Sequence, residues 1–157
     1  MHFQIREIKK REYRCMEKFL YEALFVPKGQ EAFPKSILNK PEINMYIKDF
    51  GKLTDDCCYV AEVNGKIIGA AWVRIIDDYG HVDDDTPSLI VALYKQYRGL
   101  GIGTELLTAL LKELKDRGYK AVSLSSQKEN IACRWYLKLG FKVLYENEEE
   151  YIMVKHL

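Results

Sequence analysis

A glycine-rich segment at residues 96–104 is the first place in this sequence where residue types and spacing could do chemistry. It reads Gln-Tyr-Arg-Gly-Leu-Gly-Ile-Gly-Thr, follows the apolar run 89–94 and precedes the leucine-rich helical pattern 105–115. Glycine permits a positive φ and has no Cβ to block a ligand, and the first turn of a helix presents unpaired N–H groups at the positive end of its dipole. This order of strand, turn and helix predicts a main-chain site for a phosphate or a diphosphate.

Two other phosphate-binding motifs fit this segment less well. A dinucleotide site needs Gly-x-Gly-x-x-Gly and an acidic residue about 20 positions later. Here Gly99, Gly101 and Gly103 alternate, Thr104 stands where the third glycine should be, and the strand predicted at 119–124 ends without an acidic residue. A P-loop needs Gly-Lys followed by Ser or Thr, which occurs nowhere in the chain. On this segment alone, an ordinary glycine-rich turn stays an alternative.

A second motif lies at residues 130–141, where the pattern predicts a short helix closed by a glycine and followed by a strand. Together the two motifs resemble those of the GNAT superfamily, the acetyl-CoA-dependent N-acetyltransferases. Gln96, Gly99 and Gly101 fill its first signature, Q/R-x-x-G-x-G/A. The residues that match its second signature are Ala132, Tyr136, Gly140 and Phe141. The resemblance covers residues 86–157, and the N-terminal half agrees only in the order of its elements.

The sequence departs from the family pattern in two places. Asn130 lies one residue nearer to Tyr136 than the family's asparagine does, and Glu129 holds the usual position. Lys95 stands where the family often has a proline at the end of the strand. The first departure bears on whether Asn130 contacts the cofactor, and the second should matter little to phosphate binding.

The resemblance implies an N-acetyltransferase that moves the acetyl group of acetyl-CoA to a primary amine, in a small molecule or a peptide, by direct attack through a tetrahedral intermediate. Main-chain amides would hold the diphosphate without a metal, and the end of the preceding strand would pair with the pantetheine arm and polarise the thioester carbonyl. Tyr136 takes the family's position of the proton donor to the leaving thiolate. The residues expected to bind the cofactor are Ala92, Leu93, Gln96, Arg98, Gly99, Leu100, Gly101, Ile102, Gly103, Thr104 and Asn130.

The acceptor amine must also lose a proton, because a lysine-like amine has a pKa near ~10. Glu62, His81 and the acidic residues 83–85 are candidates for the base, and each also reads as an ordinary exposed or turn residue. A chain of water molecules is a further alternative. The acidic residues 148–150 are interpreted as a charged turn that keeps the last hairpin soluble.

The acceptor is expected to bind beside residues 25–50, the region that covers the acceptor groove in the resembling family. The segment is rich in aromatic side chains, most of which we expect to pack as core: Phe25, Phe33, Tyr46 and Phe50. Its mixed lining would suit a small amine and a peptide N-terminus equally.

Composition narrows the class of protein. The 157 residues suffice for one domain, 1–157, with a full core. With 24 basic and 23 acidic residues the net charge is +1, which favours neither nucleic acid nor a membrane surface as a partner. There is no apolar leader and no stretch long enough to span a bilayer. The four cysteines have neither zinc-site nor disulfide spacing, so we expect reduced thiols in a cytoplasmic protein without a metal, and a homodimer through the C-terminal strands is compatible with the sequence.

The apolar pattern predicts the element order β α α β β β α β α β β. Strands are predicted near residues 3–8, 57–63, 66–76, from 88, near 119–124, 142–145 and 151–155. Helical segments are predicted at 16–24, 42–50, 106–114 and after 130. This order predicts an α/β protein, a mixed α+β sheet with helices on both faces. The resemblance implies the GNAT-like acyl-CoA N-acyltransferase fold, in which the central sheet is mostly antiparallel.

Two other functions stay open at this point. One is a catalytically silent acyl-CoA-binding or regulatory module on the same fold, and the other is a protein whose glycine turn binds a different nucleotide. The fold alone does not decide between them.

Overall fold

A seven-stranded sheet with helices on both faces forms the protein in a computed structural model that describes all residues from Met1 to Leu157. The strands are β1 (Gln4–Glu7), β2 (Cys57–Val63), β3 (Lys66–Arg74), β4 (Ser88–Leu93), β5 (Ala121–Gln127), β6 (Lys142–Glu146) and β7 (Glu150–His156), in the spatial order β1-β2-β3-β4-β5-β7-β6. The helices are α1 (Met16–Ala23), α2 (Pro41–Asn44), α3 (Ile102–Asp116) and α4 (Ala132–Lys138). Only β4 and β5 run parallel, so the predicted mixed, mostly antiparallel sheet is confirmed.

The sheet divides the interior into two cores because successive residues of a strand point to opposite faces. Cys57 packs in the core beneath α3, and its neighbour Cys58 packs in the core beneath α1. The predicted stripe of α3 fills the first core with Leu106, Leu107 and Leu110, each fully buried. Burial of a leucine side chain contributes roughly 1.5–3 kcal/mol, so this stripe fixes α3 firmly against the sheet.

The helix predicted at residues 42–50 is much shorter than expected. Only the four residues of α2 are α-helical, and the chain continues in turns. Arg74, at the end of β3, donates hydrogen bonds to the carbonyl oxygens of Met45 (2.9 Å) and Lys48 (2.7 Å), which a continuing helix would need for itself. Asp49 has a φ of 52°, which stops the helix outright. The strand predicted at 66–76 is also shorter than expected, and it ends at Arg74, the residue that makes these hydrogen bonds.

The parallel neighbours β4 and β5 pair only where they begin. Ser88 lies opposite Ser123, and the Ser123 N–H donates to the Pro87 carbonyl at 3.0 Å. Beyond this point the two strands diverge, while β5 stays paired with β7 along its whole length. The divergence opens a cleft between the carboxyl-terminal halves of β4 and β5. None of the helices combines the length and the apolar character needed to cross a bilayer.

Candidate functional site

A groove of about 1300 Å³ lies at the carboxyl end of β4. The end of α1 with the loop after it forms one wall, and the N-terminus of α3 with α4 forms the other. Most of the residues predicted from the sequence to bind or react line this groove: Ala92, Leu93, Arg98, Gly99, Gly101, Gly103, Thr104, Asn130 and Tyr136. The folded chain therefore brings the two sequence motifs to one place.

Six consecutive main-chain N–H groups at residues 99–104 donate no hydrogen bond within the chain. Gly99 and Gly101 have φ values of 76° and 84°, a left-handed conformation that favours glycine. A Cβ at either position would meet no protein atom within 4 Å, so both glycines face open space. The last three of these amides belong to the first turn of α3 and carry the positive end of its dipole. The segment is an amide cradle of the kind that binds phosphate oxygens.

Three predicted residues have side chains that do not line the groove. Gln96 is exposed, Leu100 is 54% exposed, and Ile102 is buried in the core beneath α3. Leu100 and Ile102 still belong to the cradle, because its donors are main-chain N–H groups. The side chain of Ile102 anchors the start of α3 and thereby the cradle.

The edge of β4 that faces the cleft offers unpaired main-chain groups. The Tyr94 N–H donates to the Ile68 carbonyl of β3 at 3.0 Å. Because hydrogen-bonded pairs alternate along antiparallel strands, Ala92 directs its main-chain groups to β3, whereas Val91 and Leu93 direct theirs into the cleft. The Leu93 carbonyl accepts a hydrogen bond from Nε of Arg98 at 3.0 Å. An extended ligand can pair with β4 here as an added strand would.

Tyr136 presents a free hydroxyl group to the groove. Its ring packs against Trp135 and Phe141, with centroids 5.1 Å and 5.6 Å away, and its hydroxyl makes no hydrogen bond within the chain. Burial, and to a lesser extent the neighbouring Cys133, raises the pKa of the Tyr136 phenol well above its ordinary value. The group therefore stays protonated at neutral pH and has its proton available.

Asn130 lines the groove and lies in the turn that precedes α4. Its Oδ1 accepts a hydrogen bond from the Ala132 N–H at 2.9 Å, which orders the turn that leads into the helix. The asparagine thus positions the helix that carries Tyr136, and its side-chain NH₂ group is left without a partner in the chain.

The candidates for the base do not lie in the groove. Glu62 pairs with Nε of Arg6 at 3.1 Å, and its strand β2 is separated from β4 by β3. His81 lies 3.4 Å from Asp84, and Asp83 accepts the Asp85 N–H at 2.8 Å within a tight turn. The fold therefore does not bring any of these predicted groups together with Tyr136.

The aromatic residues of segment 25–50 divide between the groove and the core. Phe25 and Phe33 line the groove. Tyr46 is buried and donates to Asp78 at 2.8 Å, and Phe50 packs edge-to-face on Tyr13 at 5.2 Å. Half of the segment's aromatic residues are therefore structural and half form the wall, so fewer of them pack as core than the sequence predicted.

The charges of the groove are the feature that sequence reasoning largely missed. Besides Arg98, the cations Lys95, Arg134 and Lys138 line it, and Glu22 is its one carboxylate. Arg134 and Lys138 lie four residues apart and so share one face of α4, a spacing that the sequence displays. Lys95 and Glu22 reach the groove only through the tertiary fold. The excess of positive charge suits an anionic ligand.

The chain is similar in sequence and in fold to known acetyltransferases. The model of the Acetyltransferase (GNAT) family matches residues 12–141. An N-alpha-acetyltransferase of Sulfurisphaera tokodaii is 32% identical over 118 residues, which cover 63% of this chain and 68% of that protein. A probable N-acetyltransferase camello of Xenopus tropicalis is 31% identical over 87 residues, which cover 55% of this chain and only 38% of that protein. The crystal structure of PaiA N-acetyltransferase from Thermoplasma acidophilum, in complex with coenzyme A, has the same fold, with a TM-score of 0.69 over 100% of both chains at 22% identity.

Proposed function

The chain belongs to the acetyltransferase (GNAT) family, as its two motifs predicted, and from this premise we propose that it transfers the acetyl group of acetyl-CoA to a primary amine of a small molecule or a peptide. The observation that carries the proposal is the amide cradle at residues 99–104, which lies in the same groove as the unpaired hydroxyl of Tyr136. In this proposal the amide cradle binds the anionic part of the cofactor, and the hydroxyl of Tyr136 supplies a proton.

The cradle is proposed to hold the diphosphate of coenzyme A. Six free N–H groups and a helix N-terminus suit its oxygens, and no metal is needed. The four cations of the groove add charge complementarity for a ligand with several phosphate charges. PaiA of Thermoplasma acidophilum, which has the same fold, was crystallised with coenzyme A, and this supports the assignment.

The pantetheine arm is proposed to pair with the open edge of β4. The main-chain groups of Val91 and the N–H of Leu93 face the cleft without a partner in the chain and match the amides of the arm. The thioester is thereby aimed into the gap between β4 and β5. An N–H of this edge could donate to the thioester oxygen as negative charge develops on it.

Tyr136 is proposed to protonate the leaving sulfur. The neutral amine nitrogen forms a bond to the carbonyl carbon and gives up its surplus proton to a base or to water. The tetrahedral intermediate then collapses, and the carbon–sulfur bond breaks. The thiolate then takes the phenolic proton, which the raised pKa of Tyr136 has kept in place. The free hydroxyl favours this role over a structural one, since a purely structural tyrosine would bond its hydroxyl to the chain.

The test is thiol release from acetyl-CoA with a panel of amines, namely n-butylamine, 1,4-diaminobutane, alanine amide and an aminoglycoside. We expect turnover with at least one of them, and Tyr136→Phe should lower it on the order of 10²-fold while coenzyme A affinity is kept. Tyr145→Phe, which alters an exposed tyrosine of β6, is the matched control.

Two results would contradict the proposal. Coenzyme A binding without turnover on any amine would indicate a catalytically silent module. A rise in melting temperature with ATP or NAD, but not with coenzyme A, would indicate a different nucleotide ligand.

A further inference from the structure

The cleft between β4 and β5 is open on two faces of the sheet, and only one of them is occupied by the groups described so far. Tyr136 packs with Phe141 on the face that carries α3. The amide cradle begins the same helix α3. The opposite face, which carries α1 and α2, is therefore the free approach to the cleft for an acceptor amine.

Strand register identifies which side chains border that free approach. The hydroxyl groups of Ser88 and Ser123 donate to Asp78 (2.7 Å) and to the Gly80 carbonyl (2.6 Å), so both serines lie under the turn between β3 and β4. That turn is tied to the buried Tyr46 by the hydrogen bond from Tyr46 to Asp78, which places it on the α2 face.

Alternation along β5 puts Gln127 on the same face as Ser123. Glu150, the first residue of β7, lies directly opposite Gln127, and directly paired residues share a face. Glu150 therefore lies beside the carboxyl end of β5, on the face opposite to Tyr136, and β5 separates its strand from the cleft.

Glu150 differs from the acidic residues around it. Residues 142–149 are exposed, whereas Glu150 is half-buried. Its N–H is held by Oδ1 of Asn147 at 2.7 Å, but its carboxylate makes no hydrogen bond and no ion pair. Two other carboxylates on this face are engaged, since Asp78 accepts hydrogen bonds from Tyr46 and Ser88, and Glu22 pairs with Arg98. The carboxylate of Glu150, by contrast, has no partner in the chain and is available to a ligand.

The groups near Glu150 leave its charge uncompensated. Tyr46, in the turns after α2, lies near Glu150 and also near Asp78 and Tyr79 of the β3–β4 turn, and Glu149 precedes Glu150 in the chain. The nearest cation on the neighbouring loop, Lys128, is paired with Glu146 at 3.0 Å. Burial, with a smaller contribution from Glu149, raises the pKa of Glu150 above its ordinary value. A half-buried carboxylate in these surroundings lacks a cation, and a protonated amine would supply one.

We propose that Glu150 is a catalytic residue: its carboxylate receives the cationic acceptor amine and takes a proton from the nitrogen that attacks the thioester. This inference rests on the proposed function. The cationic amine first releases one proton to water, and the neutral amine forms the carbon–nitrogen bond. Its surplus N–H proton passes to Glu150, the carbon–sulfur bond breaks, and Tyr136 gives its proton to sulfur. Water then carries the proton from Glu150 back to Tyr136, so that the products are the amide, the free thiol and the one proton released to water.

The test compares Glu150→Gln with Glu148→Gln, which removes an exposed carboxylate of the same turn. The measurement is kcat/KM against pH, using whichever of n-butylamine, 1,4-diaminobutane and alanine amide reacts fastest. We expect Glu150→Gln to lower kcat/KM at neutral pH on the order of 10²-fold and to remove the contribution of Glu150 to the acid limb of the profile, which leaves only that of the amine. Glu148→Gln should leave both unchanged, and Glu150→Asp should keep the acid limb with a reduced rate.

Calorimetry keeps this inference separate from the proposed function. Glu150→Gln should bind coenzyme A like the wild type and keep its melting temperature, which distinguishes a lost proton acceptor from a damaged fold. An active wild type and a Glu150→Gln variant with the same pH profile would overturn the inference alone. A wild type that binds coenzyme A but acetylates none of the four amines of the panel would overturn the proposed function and the inference with it.

Discussion

The indole N–H of Trp135 donates a hydrogen bond to the hydroxyl oxygen of Thr104 at 3.0 Å. Trp135 belongs to α4, next to Tyr136, and Thr104 carries the last amide of the cradle. Gly103 lies beneath this contact, where a Cβ would come within 3.2 Å of Leu93 and 3.5 Å of Trp135. The amide cradle, the end of β4 and helix α4, which carries the proposed proton donor, therefore contact one another around Gly103.

Trp135→Phe keeps an aromatic ring at this point and removes the N–H. We expect coenzyme A to bind about 3- to 10-fold more weakly, because a hydrogen bond that orders the first turn of α3 is lost, at a cost of about 0.5–1.5 kcal/mol. Calorimetric titration measures the change. Thr104→Val should cause no further loss in the Trp135→Phe background, and additive losses would contradict the account.

Arg98 reaches across the groove to Glu22, whose Oε2 lies 3.4 Å from Nη2 of Arg98, and Nε of Arg98 donates to the Leu93 carbonyl. A bound diphosphate would compete with Glu22 for this guanidinium. We therefore expect Glu22→Gln to tighten coenzyme A binding about two- to fivefold, in keeping with the modest energy of an exposed ion pair.

The same substitution in an Arg98→Gln background separates this competition from a general effect of charge. We expect no gain in affinity there, because the competing partner is gone. An equal gain in both backgrounds would mean that Glu22 acts only as a negative charge near the ligand.

The sequence predicts the parts of this site that depend on local spacing. The glycine alternation and the start of α3 can be derived from neighbouring residues, and Tyr136 is singled out by the resemblance of its segment to the family's second signature. Glu150 and Glu22 could not be assigned in this way, because their roles depend on the pairing of β5 with β7 and on a contact between α1 and the loop after β4. The prediction of a helix at 42–50 was wrong for a similar reason. Arg74, which is distant in sequence, donates hydrogen bonds to the carbonyl groups that a helix would use.

Glu12 links stability to pH. Hydrogen bonds from Arg6, at 2.8 Å and 2.9 Å, lower the pKa of Glu12 to about 2. Because the folded-state pKa is depressed, the stabilisation is complete above the ordinary pKa near 4.5 and is lost as pH falls through 2. Glu12→Gln should therefore lower the free energy of unfolding by about 1–2 kcal/mol at pH 7 and have little effect near pH 2.

Urea denaturation at several pH values measures this difference. Glu17→Gln, at an exposed position of α1, is the control and should show no such pH dependence. A Glu12→Gln effect of the same size at pH 7 and pH 2 would contradict the linkage to Arg6.

The ion pair between Arg74 and Asp56 holds the turns after α2 against the sheet. Both side chains are almost completely buried, with Nε of Arg74 2.9 Å from Oδ1 of Asp56. Asp56→Asn leaves a buried guanidinium without its counter-charge and should lower the free energy of unfolding by about 3–5 kcal/mol. Asp49→Asn breaks only an exposed pair with Lys52 and should change it by less than about 0.5 kcal/mol. Similar small losses for both variants would show that the buried pair does not stabilise the fold.

The amide cradle is the central claim, and calorimetric titration with coenzyme A tests it most directly in the wild type, Gly101→Val and Gly118→Val. Gly101 and Gly118 both have a left-handed φ and open space around them, but only Gly101 lies in the cradle. The account predicts measurable binding to the wild type, at least about 10-fold weaker binding to Gly101→Val because its side chain blocks the amides, and unchanged binding to Gly118→Val. No heat with the wild type, or equal affinity for all three proteins, would contradict it.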